Sequence, residues 1–541
     1  MAETVNLDAL IQRQDFLSEE VPDNSAAGSR GQPSASATDL KMGESFFSTL
    51  RKPDFQRETA AWSPTMVKEF VKAFVEDELV PSVICWQSPS RLSFVIDGAH
   101  RLSAIIAWLV DDYGDGDLSA KLYNFNIPEE QVKVARKTRD MIEREVGSYK
   151  KIQAETKVPG SVPEVSDRAR SLAHANVPLL WVKGSDSFKA ERAFFTINQS
   201  AVEIDATELK ILNARNKPNA IASRAIVRNA AGHKYWSDFT EAGQKIIEKD
   251  AKAIYAALYR PPLNPPVGSE ELPIAGYGYG TQTLPLIFEL VNIANGIAVM
   301  DTKKKFSVVA QEKPDEAKTV SVLSAADKLC RRITTKHAAA LGLHPAVYFY
   351  ASSGRHQPTT VLAMARLIMD MESENGFGKF TQVRNRFEEF LVTHKMFVNQ
   401  LTVKHGSMTK GFTPIRDYYR FVLDLLHQDK TDAEIEHALR ESPKYQTLVK
   451  EKPVLSKKAK DFSREARQYK LLADHLAKAT RCNLCGARVD KKSMHLGHTV
   501  DKKDGGAADL ENGEWQHPFC DSTFKTWLET TDDGIMWRAL H

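Results

Sequence analysis

The segment RCNLCGARVDKKSMHLGHTVDKKDGGAADLENGEWQHPFCDSTFK, residues 481–525, contains two pairs of metal-ligating side chains. Cys482 and Cys485 form the first pair, His517 and Cys520 form the second, and 31 residues separate the pairs. Thiolate and imidazole are ligands that zinc prefers, and two such pairs are typical of a closed structural zinc site. In a short segment a site of this kind supplies much of the folding free energy. A zinc ribbon without catalytic function is the alternative reading.

Between and after these pairs the pattern predicts two strands and a helix. Residues 494–498 read as a short strand, Gly505-Gly506 as a turn, and residues 521–528 as the helix. With the motifs G-H, G-G, E-N and H-P-x-C in this order, the segment resembles an HNH endonuclease of the ββα-metal class. The resemblance covers about residues 480–530 and implies that this part of the chain cuts a phosphodiester.

The HNH resemblance assigns a role to three residues. It implies that His498 is the general base that activates water and that Asn512 holds the loop that carries this base. It places Asp521 where a ligand of the catalytic metal is usual. A base that titrates near neutral pH and a hard cation such as Mg²⁺ or Mn²⁺ are what phosphodiester hydrolysis needs.

Two positions depart from the HNH pattern. Gly497 stands where Asp or His often binds the metal, and Asp521 stands where Asn or His is usual. His495 is a candidate substitute, although residues 495 and 498 face opposite ways on a regular strand. Asp501 and Asp504 are the other candidates, provided that the hairpin bends.

Positive charge is concentrated around this segment. The whole chain has a net charge of only +3, but residues 450–492 contain thirteen Lys and Arg against five Asp and Glu. Such a patch is typical of a surface that follows a phosphate backbone, and a solvated helix and linker is the alternative. Lys525 is expected to contact DNA phosphate, together with Lys502 and Lys503.

A second set of motifs lies near the N-terminus. Residues 92–96 read as a strand, Asp97-Gly98 as a tight turn and residues 101–109 as an apolar helix. A helix N-terminus offers free N–H groups and the positive end of its dipole, so this arrangement suits an anion, and Arg101 could pair with it. A plain turn with an exposed arginine would give the same pattern.

Three motifs in order, DFQRETAAW (54–62), VIDGAHRLSAI (95–105) and ERAFFTINQS (191–200), resemble the ParB-related domain of GmrSD-type restriction proteins. The resemblance implies a domain that binds a nucleoside triphosphate, and hydrolysis of this nucleotide is a second activity that it would allow. Ala99-His100 replaces the usual Gln-Gln pair, which puts hydrolysis in more doubt than binding. The residues implied in nucleotide binding are Gln56, Arg57, Asp97, Gly98, His100, Arg101 and Asn198.

Length and composition are those of a cytoplasmic protein with several domains. The chain has 541 residues, 42% of them hydrophobic, with no apolar run long enough for a membrane span and no recognisable signal peptide. Three of its five cysteines lie in the C-terminal segment, which favours metal binding over disulfides. An acidic loop at residues 111–117 lacks the spacing of a calcium site.

The predicted fold class is α+β, and the chain is divided into four parts. These are a flexible segment (1–44), a ParB-like α/β domain (45–215) with an insertion at about 113–172, a mostly helical middle domain (216–470) and a small ββα-metal HNH domain with structural zinc (471–541).

The expected function is that of a metal-dependent DNA endonuclease or nickase in restriction or anti-phage defence, regulated through a nucleotide. The expected cofactors are structural Zn²⁺, catalytic Mg²⁺ or Mn²⁺ and a nucleoside triphosphate. The expected partners are DNA and the nucleotide, with homo-oligomerisation left open and no membrane. The alternatives are a nucleotide-gated DNA-binding regulator or an NTPase, each with an inactive nuclease module.

Overall fold

The computed structural model divides the chain into two compact units. It describes residues 4–14, 16, 31–54, 56, 58–123, 125, 127–183, 190–191, 193–194, 210–211, 214–263, 271–278, 280, 282–298, 313–448 and 462–540. The N-terminal unit holds the described residues up to Asp238, with 280, 282–285 and 313–314, and the C-terminal unit holds those of 239–278, 286–298 and 315–540.

A twisted sheet forms the centre of the N-terminal unit. Its described strands are β1 (Arg13–Gln14), β2 (Ser34–Ser36), β3 (Leu50–Pro53), β4 (Val83–Gln87), β5 (Ser93–Asp97) and β6 (Asn176–Val182). They lie in the order β1-β3-β5-β4-β6-β2. The pairs β1–β3, β3–β5 and β4–β6 are parallel, and β5–β4 and β6–β2 are antiparallel.

Helices cover this sheet and bury its apolar side chains. They are α1 (Ser45–Thr49), α2 (Pro64–Val75), α3 (Ala99–Val110), α4 (Asp117–Leu122), α5 (Glu129–Glu145), α6 (Tyr149–Lys157) and α7 (Ser166–Leu172), and the unit also contains α8 (Pro218–Val227). Helix α2 begins as its sequence predicts, because the side chain of Ser63 accepts a hydrogen bond of 3.3 Å from the N–H of Met66. Strand β5, the Gly98 turn and α3 also follow the predicted order.

The N-terminal segment differs from the flexible segment that its composition predicts. Residues 1–44 were expected to be flexible, but apolar side chains of the described residues 5–11 and 35–40 belong to the core. The side chains of Val5, Leu7 and Leu10 are almost completely buried, and strands β1 and β2 form the two edges of the sheet. The apolar side chains pack beneath helices that follow much later in the sequence, which is a tertiary effect that composition does not reveal.

The segment at 113–172 is also part of this core. Val134, Ile142 and Ile152 lie in the same buried cluster as residues of α2. Two helices of this segment, α5 and α6, are separated at Gly147, which adopts a positive φ of 92°. In the acidic loop the buried carboxylate of Asp112 accepts hydrogen bonds from backbone N–H groups and from Ser119.

The rest of the chain is mainly helical, as predicted. Its described helices are α9 (Glu241–Tyr259), α10 (Thr283–Ala294), α11 (Glu316–Ile333), α12 (Pro345–Tyr348), α13 (Pro358–Glu374), α14 (Phe377–Thr393), α15 (Lys395–His405), α16 (Phe412–His427), α17 (Asp432–Glu441), α18 (Arg464–Lys478), α19 (Lys525–Thr530) and α20 (Asp532–Leu540). None of the described helices is both long enough and apolar enough to span a lipid bilayer.

A two-stranded hairpin precedes the last helices. Strands β7 (His495–His498) and β8 (Gly513–Gln516) pair antiparallel, with His498 opposite Gly513. A π-helical turn at Cys520–Phe524 then leads directly into α19. The predicted order of strand, strand and helix is therefore present, with a π-helical turn where a regular helix was expected.

The turn between β5 and α3 generates a prediction about stability. Gly98 has φ of 92°, and a Cβ at this position would lie 2.8 Å from Cγ2 of Val83. Gly98→Ala should therefore lower the thermal unfolding midpoint, at a cost of about 1–3 kcal/mol for the backbone plus the added contact. Gly43→Ala is the matched control, because Gly43 has φ of 97° with no atom within 4 Å. Equal shifts in the two variants would contradict a role for the Val83 contact.

Candidate functional site

Four buried side chains in the C-terminal unit form a potential metal centre. The ligand atoms of Cys482, Cys485, His517 and Cys520 all lie within 4.8 Å of one another. Nδ1 of His517 is 3.4 Å from Sγ of Cys485 and 3.6 Å from Sγ of Cys520. Three sulfur atoms and one imidazole nitrogen at these separations fit a closed tetrahedral site for a metal such as zinc. The structure thus brings together the four ligands that their spacing predicted.

The surrounding chain orients these ligands. Nε2 of His517 lies 3.0 Å from the carbonyl oxygen of Arg488, so it donates its proton there and leaves Nδ1 facing the sulfur atoms. Burial opposes ionisation of the Cys482 thiol, but hydrogen bonds from Cys485 and Cys520 outweigh it and hold its pKa well below the usual value. The cluster therefore favours one thiolate, at Cys482, whereas burial raises the pKa of the Cys485 and Cys520 thiols; thiolate is the form that binds metal.

A buried ion pair on α14 connects the metal centre to the preceding helices. Oε1 of Glu388 accepts hydrogen bonds from Nε of Arg384 (2.9 Å) and from the hydroxyl of Tyr348 (3.0 Å). Oε2 of Glu388 accepts the backbone N–H of Arg488 at 2.9 Å. Nη2 of Arg384 also donates to the carbonyl of Gly342, at 3.1 Å. Both charged side chains are fully buried, and each finds partners from several segments.

Further contacts join the metal-binding segment to this helical framework. The N–H of Phe519 donates to the carbonyl of Ala340 at 3.0 Å, and the hydroxyl of Ser522 donates to that of Ala338 at 2.7 Å. The backbone of Gly342 is so close to the site that a Cβ there would lie 3.0 Å from Cδ2 of His517. These docking contacts were not predicted from the sequence. Its one available signal was an Arg–Glu pair at i and i+4, Arg384 and Glu388, on an otherwise apolar helix face.

The hairpin carries the predicted general base. Nε2 of His498 is buried and has no hydrogen-bond partner among the described residues. The residue before it, Gly497, is buried, and a Cβ at this position would lie 2.4 Å from Oε1 of the buried Gln516. The space that a side chain at 497 would occupy is therefore filled by Gln516.

Asn512 fastens the loop that follows His498. Its Oδ1 accepts the N–H of Val500 at 2.7 Å, and its Nδ2 donates to the carbonyls of Val500 (3.0 Å) and Ala507 (2.7 Å). A side-chain amide that spans a loop in this way fixes the backbone on both sides. These contacts support the predicted role of Asn512 as the residue that holds the loop.

Lys525 lies among three protein oxygen atoms. Its Nζ is 2.7 Å from the carbonyl oxygen of His498, 3.0 Å from Oδ1 of Asp501 and 3.4 Å from Oδ1 of Asp521. Burial opposes the charge on Lys525, but the two carboxylates raise its pKa, and the hydrogen bond from Lys525 lowers the pKa of Asp501. Lys525 is bound to these protein oxygen atoms, and its predicted contact with phosphate stays a prediction.

Asp501 and Asp521 supply oxygen ligands of the kind that Mg²⁺ and Mn²⁺ prefer. The other carboxylate oxygen of Asp521 lies 3.1 Å from Nε2 of His495, so His495 is beside the predicted metal ligand. Outside the cysteine–histidine centre, the described residues include no further group of three His, Cys, Asp or Glu ligand atoms close enough to hold an ion. The two carboxylates therefore offer only part of a metal ligand set, and Lys525 already contacts both of them.

The remaining predicted DNA contacts and the nucleotide residues lie elsewhere. Lys502 and Lys503 are exposed in the loop after β7. In the N-terminal unit, Nη1 of Arg101 lies 3.1 Å from Oδ2 of Asp97 and 2.8 Å from the carbonyl oxygen of Ser82. The guanidinium of Arg101 is therefore already partnered within the fold.

His100 and Gln56 lie on either side of the Asp97 turn. Nε2 of His100 accepts the N–H of Ala61 at 3.2 Å, and its ring stacks on Trp62 at 5.6 Å between centroids. Nε2 of Gln56 is 3.5 Å from the carbonyl oxygen of Ile96, and its Oε1 is buried with no hydrogen-bond partner among the residues that the structure describes. The structure brings these two residues to the same turn, whereas Arg57 and Asn198 lie outside the described residues.

The cysteine–histidine centre predicts a metal content that can be measured. Purified protein should contain about one zinc per chain, and Cys485→Ala should lose it because a three-ligand site binds weakly. Cys330→Ala should keep its zinc, since this buried thiol lies outside the cluster. Elemental analysis after dialysis measures the result, and zinc should also be released as the pH falls and the thiolates take up protons. Full zinc retention by Cys485→Ala would rule out this ligand set.

The buried ion pair of Arg384 and Glu388 predicts an effect on the stability of the metal centre. Glu388→Gln should destabilise the docked metal centre by about 3–5 kcal/mol, because it leaves the charge of Arg384 buried without a counter-ion. The urea concentration at which zinc is released should fall accordingly. Glu374→Gln removes the carboxylate of an exposed pair with Arg420 and should cost only about 0–1 kcal/mol. Similar losses in both variants would show that burial of the pair is unimportant.

Comparison with known proteins identifies one region of similarity. Residues 40–215 match the family model described as GmrSD restriction endonuclease, N-terminal domain. Neither curated proteins nor solved structures gave a match. The match supports a GmrSD-like restriction protein and covers all of the described strands β3 to β6.

Proposed function

We propose that this protein is a restriction-type DNA endonuclease whose HNH module lies at residues 471–541 and whose ParB-like N-terminal domain binds a nucleotide that regulates cleavage. The observation that carries the nuclease assignment is the position of His498. Its Nε2 is buried and finds no hydrogen-bond partner in the described part of the chain, while its own carbonyl is held by Lys525 beside two carboxylates. A base with an unused nitrogen next to a cation is an arrangement suited to phosphodiester hydrolysis.

In the proposed reaction, the imidazole of His498 accepts a proton from the attacking water. The water oxygen forms a bond to phosphorus, the bond from phosphorus to the sugar oxygen breaks, and the leaving oxygen takes a proton from solvent. Asn512 keeps the loop after His498 in place through its hydrogen bonds to Val500 and Ala507. The positive charge of Lys525 opposes the negative charge that develops on the phosphate. A divalent cation held by Asp501 and Asp521 would add to this neutralisation.

DNA is the proposed substrate because of the family match and the local charge. The matched family is one of restriction endonucleases. The excess of Lys and Arg in residues 450–492 directly precedes the hairpin, and Lys502 and Lys503 extend it on the exposed loop. Phosphate contacts of this type provide affinity without sequence preference.

An inactive nuclease module with a nucleotide-dependent regulatory or NTPase role is the second candidate. Two observations favour it. Gln516 fills the space beside Gly497, and Lys525 forms ion pairs with the carboxylates of Asp501 and Asp521 that would otherwise be open to a metal. In that case the protein would bind DNA and nucleotide without cutting the DNA.

Plasmid cleavage by the full-length protein separates these two candidates. With Mg²⁺ or Mn²⁺ and a nucleotide series, the wild-type protein should nick or linearise plasmid, and His498→Ala should reduce the rate roughly 10²- to 10⁴-fold by removing the base. His437→Ala, an exposed histidine in the same unit, should cleave at the wild-type rate. Cleavage by His498→Ala at that rate would refute the assignment of the base. DNA binding with no cleavage under any metal or nucleotide would favour the regulator.

A further inference from the structure

The hairpin of the C-terminal unit carries an exposed apolar pair. Leu496 of β7 lies directly opposite Trp515 of β8. Leu496 is 46% exposed and Trp515 is 42% exposed, although both side chains are large and apolar. Single exposed apolar residues are common on protein surfaces, whereas two that are paired across a hairpin form a continuous patch. The pair is therefore a candidate contact surface.

Trp515 differs from the aromatic side chains that follow it in the chain. Phe519 and Phe524 are almost completely buried. The ring of Phe519 packs against Phe377 with 5.9 Å between centroids, and Phe524 stacks on Trp527 at 5.6 Å. These rings form the small core around the metal-binding segment. Trp515 is not buried with them, so packing of this core does not account for its position.

The exposed pair lies on the same face of the hairpin as His498. Side chains at alternate positions of a strand point to the same face, so Leu496 shares its face with His498. On β8, Trp515 shares its face with Gly513, which is the residue opposite His498. Alternate residues are about 7 Å apart along a strand. The proposed general base and the apolar pair are therefore neighbours on one surface.

The side chain of Leu496 extends this surface toward His498. A Cβ at Gly513 would lie 3.3 Å from Cγ of Leu496 and 3.3 Å from each of its Cδ atoms, so the leucine side chain lies over the glycine. Glu514, the acidic residue of β8, is opposite Gly497 and belongs to the other face of the hairpin. The apolar surface therefore runs up to the proposed base without this carboxylate, which would repel a phosphate.

The backbone beneath the indole ring is held by the metal-binding segment. The carbonyl of Trp515 accepts the N–H of Asn483 at 3.1 Å, and Asn483 lies between the ligands Cys482 and Cys485. The next residue of β8, Gln516, is completely buried. The exposed ring is thus mounted on a fixed strand, and a surface that is in place before its ligand arrives loses less entropy on binding.

We infer that Trp515 and Leu496 form a platform on which an unpaired DNA base stacks, next to the phosphate that is attacked. An indole face stacks on the face of any base. The bases of an intact duplex are already stacked on one another, so the platform favours single-stranded or locally opened DNA. The exposed Lys502 and Lys503, in the loop between the two strands, supply charge for flanking phosphates. The inference rests on the proposed nuclease function and names the class of DNA at the cleavage site.

Binding of fluorescein-labelled oligonucleotides to the full-length protein, measured by fluorescence anisotropy without added divalent cation, tests the platform. Trp515→Leu keeps an apolar pair across the hairpin but removes the aromatic face. It should weaken binding of a single strand about 5- to 100-fold, the loss of one stacked base, and should change binding of the same strand annealed to its complement by about twofold or less. Val403→Ala, at an exposed position of α15 in the same unit, should bind both as the wild type does.

An abasic strand, which presents the phosphates without the bases, separates stacking from charge. The wild type should bind it more weakly than the natural single strand, and Trp515→Leu should bind it as the wild type does. Thermal unfolding and zinc content identify a variant that fails to fold. In that event Trp515→Phe, which keeps an aromatic face, should retain the preference for the natural strand over the abasic strand.

Three results would overturn the inference. They are unchanged binding of the single strand by folded Trp515→Leu, an equal loss on the duplex, and an equal loss on the abasic strand. If any of these occurs while plasmid cleavage still depends on His498, only the platform fails and the proposed function stands. If the wild type binds neither single-stranded nor duplex DNA, the platform and the nuclease proposal fail together.

Discussion

The buried carboxylate of Glu388 is the contact on which the organisation of the C-terminal unit depends. One oxygen atom accepts from Arg384 and Tyr348, and the other accepts from the backbone of Arg488 in the metal-binding segment. Burying a carboxylate is expensive unless its lone pairs are all used. Because the third partner comes from the segment between the two ligand pairs, this requirement is met only when that segment is docked. Folding of the helices and assembly of the metal centre are therefore coupled.

The same principle operates in the N-terminal unit with a different outcome. Asp8 gathers Lys52, Arg13 and the N–H of Thr59 around one carboxylate, and so ties residues before β3 to residues after it. Each unit thus has a buried acid that holds together segments far apart in sequence. In the C-terminal unit one guanidinium faces one carboxylate, whereas the carboxylate of Asp8 is shared by Lys52 and Arg13 and lies 3.7 Å from Arg228.

The sequence predicted those features whose signal is local. Ligand spacing identified Cys482, Cys485, His517 and Cys520, and the strand, Asp-Gly turn and helix around Gly98 have the predicted order. Features that depend on distant partners were not predictable. Residues 4–14 are polar and apolar in no regular pattern, yet they are buried by helices that follow much later. The position of Lys525 between Asp501 and Asp521 likewise requires knowledge of how the hairpin bends.

The two edge strands of the N-terminal sheet have a consequence for the order in which the protein is made. Strand β2, at residues 34–36, pairs with β6, at residues 176–182, and β1 pairs with β3. During synthesis from the N-terminus, β2 leaves the ribosome about 140 residues before its partner exists. Until β6 has been synthesised, the backbone N–H and C=O groups of β2 lack the strand with which they form hydrogen bonds in the folded protein. Polar Ser34 and Ser36 at this edge make the waiting strand a poor template for association with other nascent chains.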